Sequence, residues 1–478
     1  MKKRDFLILF VVLLVALVFR LYKFNAPLAD LHSWRQADTA AVAKNFVRSG
    51  LDLLHPRYDD LSNVQSGLNN PQGYRMVEFP IYNALFSFFY KLFPYITIDQ
   101  WGRLTSIFFS LITITVIYYL LLKEKNRLSA TVSALIYAIF PFFVFFSRVV
   151  LPESAALGFT MLSVFFLYQP INSKAGKRTS FVFYFLSCLS FMIALLIKPT
   201  TIFFAVLHIG LFFKANGLKL VKKPLVYGFF ILSFLPLFLW RNYIKTYPEG
   251  IPASEWLLTM VNSGGGLQRI FFKPAFFRWI FFERINNLIL GGFLTSLFLI
   301  GTVSKQKKSF LYFFLIASLS YLFVFQGGNV QHEYYQTLIL PTLAIFSGLG
   351  TNLIIENKNL FPRLLSISLI FMVFAFSWFF SFYQVKNYYN YSTDLVREAK
   401  IINSLTKPED KIVTDRMGDT TLLYLSDRRG APSIFKSPEE LKKLGYSYLI
   451  TSSEDQIKSM KDEYKVIFEN DKFTIFGL

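Results

Sequence analysis

Long apolar runs separated by short polar stretches dominate this chain. Runs long enough to cross a hydrocarbon core, roughly 17–25 residues each, occur at 6–23, 79–95, 103–122, 128–147, 153–169, 179–197, 199–214, 224–243, 286–303, 309–325, 337–355 and 363–383. Several start or stop at proline, as at Pro80, Pro199, Pro224 and Pro362, where the missing N–H favours a helix boundary. The pattern predicts a polytopic α-helical membrane protein. The first run follows Lys2-Lys3-Arg4 and no small-residue cleavage site comes after it, so it reads as a retained helix with Arg20, Tyr22 and Lys23 as interfacial anchors.

Two stretches break this pattern. The first is the polar loop 24–78, which contains Asp30-Leu-His-Ser-Trp-Arg-Gln-Ala-Asp38 and closes at Glu78-Phe-Pro80. A long loop costs ordering entropy and leaves many backbone groups to satisfy, so a loop this rich in ionisable groups reads as the wall of a site. The second begins after Tyr383. Residues 392–405 form an amphipathic helix pattern, Lys411–Thr414, Tyr446–Thr451 and Val466–Phe476 read as strands, and Ser437-Pro-Glu-Glu440 reads as a helix start. The expected organisation is a membrane domain over 1–384 and a small soluble α/β domain over 385–478. Within 243–284, Gly264-Gly-Gly266 reads as a flexible turn, and 267–284, with Arg269, Lys273, Arg278 and Arg284 among aromatics, as an interfacial helix.

Composition agrees: 54% of the residues are hydrophobic and mean hydropathy is +0.42, far too apolar for a soluble chain of this length. Charge then orients it. Val385 to the end holds 15 basic and 15 acidic residues, leaving 35 of the 50 basic and 15 of the 30 acidic residues, and so the whole +20, in the membrane part. That distribution argues against nucleic-acid binding and fits positive-inside loops with sites for anionic lipid or phosphate. The basic loops Lys123–Arg127, Lys174–Arg178, Lys214–Lys223, Lys305–Lys308 and Lys358–Arg363 fall on the cytoplasmic side of an inner or plasma membrane. The loop 24–78 and the C-terminal domain then fall outside, which needs an odd number of crossings, roughly 11–13. Twelve runs is even, so either 79–95 is interfacial or re-entrant or one stretch hides a further crossing. The single cysteine, Cys188, excludes an internal disulfide and a thiolate metal site.

Three of the four histidines, His32, His55 and His332, lie in the outer loops with Asp30, Asp38, Glu78, Arg148, Glu153, Lys198 and Arg284. Ionisable groups at membrane depth are costly and mark sites with partners. Asp30 and Asp38 are the candidate bases. Against that, Asp30 suits a helix cap, and Asp38 suits an ion pair with Arg35 one turn earlier on a helix starting at Trp34. Glu78 before Pro80 suits a helix start. Lys198-Pro199 places a cation at a tight outer turn between two spans, fit for an anionic head group or for snorkelling. In Gln331-His332-Glu-Tyr-Tyr-Gln336, Tyr334 and Tyr335 suit an aromatic belt, to which His332 adds a donor. His208, inside a span, reads as a packing histidine.

The pattern D-x-H-x-W-R-Q-x-x-T-A in the first loop, Ser49-Gly50 with Pro56, Glu78–Pro80, Ser147–Glu153, Lys198-Pro199 and His332–Tyr335, in that order, resembles the polyprenyl-phosphate-sugar-dependent glycosyltransferases of the GT-C class. The similarity is to the bacterial branch near the protein O-mannosyltransferases and the aminoarabinose transferase of lipid A. It implies a GT-C fold and inverting transfer from a polyprenyl-phosphate-linked sugar to an extracytoplasmic acceptor, whether protein, lipid A or cell-envelope glycan. It further implies a first-loop acid as base and Lys198 as a holder of the lipid phosphate, with Arg284, His332, Tyr334 and Tyr335 beside it. His32, Trp34, Arg35, Gln36, Glu78, Arg148 and Glu153 would complete the pocket. The relatives carry Asp-Glu where a gapless match puts Arg35-Gln36, so the base is Asp30 or Asp38. They carry a basic residue where this chain has Phe79, so that contact is missing or comes from Arg75. No cofactor and no obligatory metal are expected. A lipid-linked sugar flippase or a glycan polymerase is the alternative reading.

Overall fold

The computed structural model describes residues 1–172, 176–253, 273–304, 309–357 and 362–478. The Gly264–Gly266 turn, Arg269 and the basic residues Lys174, Lys305, Lys307, Lys308 and Lys358 lie outside the described residues. In chain order the first helices are α1 (Lys3–Arg20), α2 (Ser33–Ser49), α3 (Ile81–Leu92), α4 (Ile98–Glu124), α5 (Arg127–Ile139), α6 (Pro141–Phe146), α7 (Glu153–Asn172), α8 (Lys177–Ile197), α9 (Ala205–Asn216) and α10 (Pro224–Tyr243). The chain divides into two compact units. One comprises Met1–Phe24, Arg103–Trp240 and the later described residues through Tyr388, and the other Asn25–Gly102, the described residues from Arg241 to 253 and Tyr389–Leu478.

The first unit is helical and apolar. Among the described residues seven helices are long and apolar enough to cross a membrane, or eight when the pair Pro274–Ile289 and Leu294–Val303, bent by 117°, counts as one span. The 18-residue α1 and the shorter helices α5 with α6 and Tyr312–Val324 fall on the other apolar runs. Run 79–95 does not yield a span. It yields α3, which at 12 residues is only about 18 Å long against a core of about 30 Å. The helix is two-faced, with Tyr82, Phe86 and Ser87 buried and Phe88, Phe89 and Leu92 exposed, and it belongs to the second unit.

Proline explains a feature of the helical unit that composition hides. Pro141 has no N–H to give the Tyr137 carbonyl, so the helix breaks between α5 and α6. Arg20 supplies the missing donors: its guanidinium bonds the carbonyls of Tyr137 (2.9 Å), Ala138 (2.9 Å) and Ala16 (3.0 Å) and the Ser147 hydroxyl (2.8 Å). Arg20 is fully buried. It is an internal staple, not the interfacial anchor expected of it, because orphaned carbonyls in an apolar bundle outcompete the water beyond α1.

The second unit contains a five-stranded sheet of β1 (Lys411–Thr414), β2 (Arg429–Ala431), β3 (Tyr446–Thr451), β4 (Lys465–Glu469) and β5 (Thr474–Gly477), in the order β2-β1-β3-β5-β4. β2, β1 and β3 are parallel, and β5 pairs antiparallel with both β3 and β4. The expected single strand over 466–476 is a hairpin, turned where Asn470 accepts from the Lys472 and Phe473 amides. Alternation puts Ile412, Ile450 and Ile475 on one face with Ala399, Ile402, Leu422 and Leu423. It puts Val413, Leu449 and Phe476 on the other with Leu441 and Met460. The Ser437–Glu440 capping box is formed as expected.

An open edge strand needs a cover, and the first loop supplies it. Gly430 in β2 donates to the Asp59 carbonyl (2.8 Å) and accepts from the Leu61 amide (2.6 Å). A side chain at Gly430 would meet the Ile412 carbonyl at 1.8 Å. Asp427 receives Lys44 (2.6 Å) and Arg48, both on α2, and Tyr424 bonds Asp99. The first loop and the C-terminal residues therefore fold as one body.

Docking the loop buries acids. Asp60 is fully buried and accepts from the Ser62 amide (2.8 Å) and hydroxyl (2.6 Å). Burial outweighs those bonds and pushes its pKa from 3.8 to about 6. The folded unit therefore holds a proton that the unfolded chain releases between pH 3.8 and about 6. That contribution to stability is present below the lower value and is lost as pH rises through the upper one. Asp60→Asn cannot ionise, so thermal melts of the variant should lose less stability than wild type between pH 4.5 and 7. An unchanged pH slope would refute the assignment.

Candidate functional site

Each unit holds one cluster of the residues singled out in the sequence. In the helical unit, α8 ends at Lys198 because the residue before a proline is pushed out of the helical region. Lys198 is extended (φ −148°, ψ 103°), and a 3₁₀ segment, Pro199–Phe204, follows. Its ammonium is not simply exposed at the turn as a snorkelling cation would be. It is buried and lies 2.7 Å from Glu153 Oε1 at the start of α7. It also sits 5.2 Å from the Tyr335 ring centre and 5.9 Å from that of Tyr334.

Those tyrosines belong to the 3₁₀ segment Glu333–Ile339, which leads into the helix Leu340–Glu356. His332 stacks on Tyr334 with ring centres 5.2 Å apart. Arg284 is buried in a π-helical segment, Arg278–Ile289. It lies 3.1 Å from Glu333, within hydrogen-bond range of the Val330 carbonyl (3.3 Å), and over the Trp279 ring. The structure thus brings together Lys198, Glu153, Arg284, His332, Tyr334 and Tyr335, which lie far apart in sequence. Arg148, fully buried, donates to the Lys23 carbonyl (3.1 Å) at the end of the first helical stretch.

In the second unit, His32 turns left-handed (φ 58°) to start α2. Gln36, fully buried, donates its amide to Asp30 Oδ1 (2.6 Å) and to the Leu31 carbonyl (3.0 Å). Asp30 is therefore held against the first turn of α2. Arg35 bonds Glu78 (2.5 Å). The expected pair of Asp38 with Arg35 does not form. Asp38 accepts from the Thr420 hydroxyl at Oδ1 (2.6 Å), and its Oδ2 lies 3.2 Å from Arg75 Nη2, near enough for an ion pair though not aligned as a hydrogen bond. Burial pushes the Asp38 pKa up further than Arg75 and Thr420 pull it down. Thr420 also reaches the Trp34 carbonyl (3.3 Å). Arg75, considered as a stand-in for the base lost at Phe79, instead faces Asp38 and the Tyr58 ring.

Sequence reasoning missed Thr420 because it lies 382 residues from Asp38, and a lone threonine in a turn carries no signal of a distant partner. It also missed Asp59 and Asp60, whose burial follows only from the docking of their loop on β2. His208 bonds the Ser163 hydroxyl (2.7 Å), as a packing histidine should. Among the described residues no three of His, Cys, Asp and Glu gather as a metal ion would need.

Residues 78–240 match the family model for dolichyl-phosphate-mannose-protein mannosyltransferase. Comparison with curated protein sequences gives no match. Among solved structures, ArnT from Cupriavidus metallidurans bound to undecaprenyl phosphate is similar over 100% of this chain and 98% of its own, at a TM-score of 0.69 and 13% identity. The apo oligosaccharyltransferase of Archaeoglobus fulgidus aligns over 95% of this chain and 70% of its own, at 0.63 and 11%. The archaeal oligosaccharyltransferase AglB from Archaeoglobus fulgidus, in complex with an inhibitory peptide and a dolichol-phosphate, aligns over 94% and 69%, at 0.58 and 11%. The chain is a polytopic helical membrane protein of the GT-C fold with a small C-terminal α/β domain, and over residues 78–240 it matches the dolichyl-phosphate-mannose-protein mannosyltransferase family.

Proposed function

We propose that this protein is an inverting glycosyltransferase of the inner or plasma membrane. It would move a sugar from a polyprenyl-phosphate donor to an acceptor on the extracytoplasmic side, where its second unit would lie. The observation that carries the reading is the cluster around Lys198, in a chain whose fold is similar to that of a protein solved with undecaprenyl phosphate. Lys198 and Arg284 supply two cations, and His332, Tyr334 and Tyr335 supply polar donors beside them. Glu153 and Glu333 keep those cations compensated until an anionic head group arrives, since an unpaired buried charge would be costly.

The reaction is a single displacement. The acceptor oxygen forms a bond to the anomeric carbon as the bond from that carbon to the phosphate oxygen breaks on the opposite face, which inverts the centre. The acceptor proton passes to a carboxylate of the first loop. The polyprenyl phosphate leaves with the electron pair, and the cluster of Lys198, Arg284, His332 and Tyr335 stabilises its charge. Asp30 is the proposed base. Asp38 is committed to Arg75 and Thr420, the arrangement of a structural pair, and Asp30 accepts from Gln36 at the first turn of α2.

Asp30→Asn should lower sugar transfer in detergent by roughly 10²–10⁴-fold while the melting midpoint holds. Asp38→Asn should act mainly on stability. Near-normal turnover in Asp30→Asn beside an inactive, folded Asp38→Asn would reverse the roles.

Removing Lys198 alone would strand the buried Glu153 carboxylate, a loss of about 3–5 kcal/mol. The informative variant is therefore Lys198→Met combined with Glu153→Gln. It should stay folded and bind polyprenyl phosphate at least about tenfold more weakly, the loss expected of a charge-assisted hydrogen bond. Unchanged binding would show that Lys198 serves packing alone.

A further inference from the structure

The second unit holds a cavity that none of the roles above uses. It measures about 130 Å³, lies at the C-terminal end of α2 and is lined by Asn45, Phe46, Ser49, Gly50, Asp52, His55 and Arg57. Its polar groups divide into those already engaged and those left over. Asp52 folds back on itself, accepting from the Leu54 (3.1 Å) and His55 (3.2 Å) amides and from His55 Nδ1 (2.9 Å). A carboxylate only accepts, so His55 Nδ1 carries the proton. His55 Nε2 lies within hydrogen-bond range of the hydroxyls of Tyr243 (2.9 Å) and Tyr247 (3.0 Å). His55 is thereby fully used.

Arg57 is not. Among the described residues its guanidinium meets only the Tyr74 ring, 5.6 Å from its centre. Asn45 directs its amide N–H groups at the Ala41 (3.0 Å) and Arg57 (3.1 Å) carbonyls and at Asp59 Oδ1 (3.4 Å), which leaves its side-chain oxygen as an acceptor. Ser49 and Asp52, which also line the cavity, are exposed. Phe46 forms an apolar wall.

This set selects a ligand class by exclusion. An anion would suit Arg57 but would meet the Asp52 carboxylate and the negative end of α2. A cation would suit Asp52 but would meet Arg57. A polyhydroxylated ligand, whose every hydroxyl donates and accepts, satisfies the five donors of Arg57 and the acceptors of Asn45 and Asp52 together. Its C–H face suits the Phe46 wall. At about 130 Å³ the cavity has room for several waters, the scale of a single sugar ring. Asn45 lies nine residues beyond Gln36, about 13 Å along α2 from the residue that holds Asp30. A donor sugar must keep its anomeric carbon at the reacting centre and cannot also fill a cavity that far along the helix. An acceptor glycan can.

We propose that this cavity binds a sugar ring of the acceptor, so that the acceptor is a glycan and not a polypeptide. The role as acceptor subsite rests on the transferase reading above, but the sugar binding does not. The test uses the purified full chain in detergent and saturation-transfer NMR with free glucose, mannose, galactose and N-acetylglucosamine, and with inorganic phosphate as a competitor. At least one sugar should receive saturation, and phosphate should not displace it. The signal should weaken about tenfold or more in Arg57→Gln, the loss expected on removing a charged hydrogen-bonding group. Ser49→Trp, a substitution at an exposed position that fills the cavity, should weaken it equally. No saturation from any of the four sugars, equal saturation in wild type and both variants, or displacement by phosphate would each overturn the proposal. The two readings fail separately. Transfer that survives both Asp30→Asn and Asp38→Asn would remove the transferase mechanism and leave sugar binding in place. Sugar binding absent while transfer persists would remove this cavity alone.

Discussion

A charge or an unsatisfied carbonyl cannot be left alone in an apolar bundle, and that constraint organises the helical unit. Each cation placed there by the sequence finds its own answer. Arg20 takes the carbonyls that Pro141 orphans, Lys214 pairs with Glu124 at 2.6 Å, Lys198 with Glu153, and Arg284 with Glu333. The first two close helix breaks and helix ends. The last two sit at irregular places of a different kind, Lys198 before Pro199 and Arg284 in the π-helical segment Arg278–Ile289, with aromatic rings beside each. Pairing there lets a cation persist in the bundle, and on the proposed function an arriving anionic head group would exchange one partner for another. It need not desolvate a bare charge.

The second unit solves a different problem, that of a small sheet with an open edge. Its strand β2 has three residues and would expose a ladder to solvent, and the stretch Asp59–Leu61 covers it. The price is a set of buried carboxylates: Asp38, Asp59 and Asp60 all have their pKa values raised, with burial the first cause in each. Thr420 and Arg75 hold Asp38, Gln36 holds Asp30, and Arg35 holds Glu78. The acids of the first loop are therefore fixed by groups from three separated stretches of chain, which is how a flexible loop becomes a rigid wall.

Much of this was legible in the sequence, and where it was not, the cause is physical. Apolar runs and basic loops located the spans because hydrophobic length and charge are local properties. The run 79–95 stayed ambiguous between a span and an interfacial piece because its apolarity is one-sided, with α3 burying Tyr82 and Phe86 and exposing Phe88 and Leu92. The pairing of Lys198 with Glu153 follows from the cost of charge at membrane depth, whereas Tyr334 and Tyr335 suited an aromatic belt and were set beside Lys198 only by the family resemblance. Arg20 was misread as an anchor because its partners are backbone carbonyls, which no side-chain pattern reveals. The Asp38–Arg35 pair was expected from helical spacing alone. It lost to Arg75 and Thr420 because tertiary contacts override an i, i+3 preference worth only about 0.2–0.5 kcal/mol.

The central claim is that this fold moves a sugar off a lipid phosphate. The most direct measurement places the purified chain in vesicles with a polyprenyl-phosphate sugar labelled in the sugar and with crude cell-envelope acceptor. It follows both the label and the lipid. The account predicts that label passes to a lipid-free acceptor and that polyprenyl phosphate accumulates in step with it. Label that crosses the vesicle bilayer while still attached to its lipid, with no polyprenyl phosphate released, would contradict the account and show a flippase.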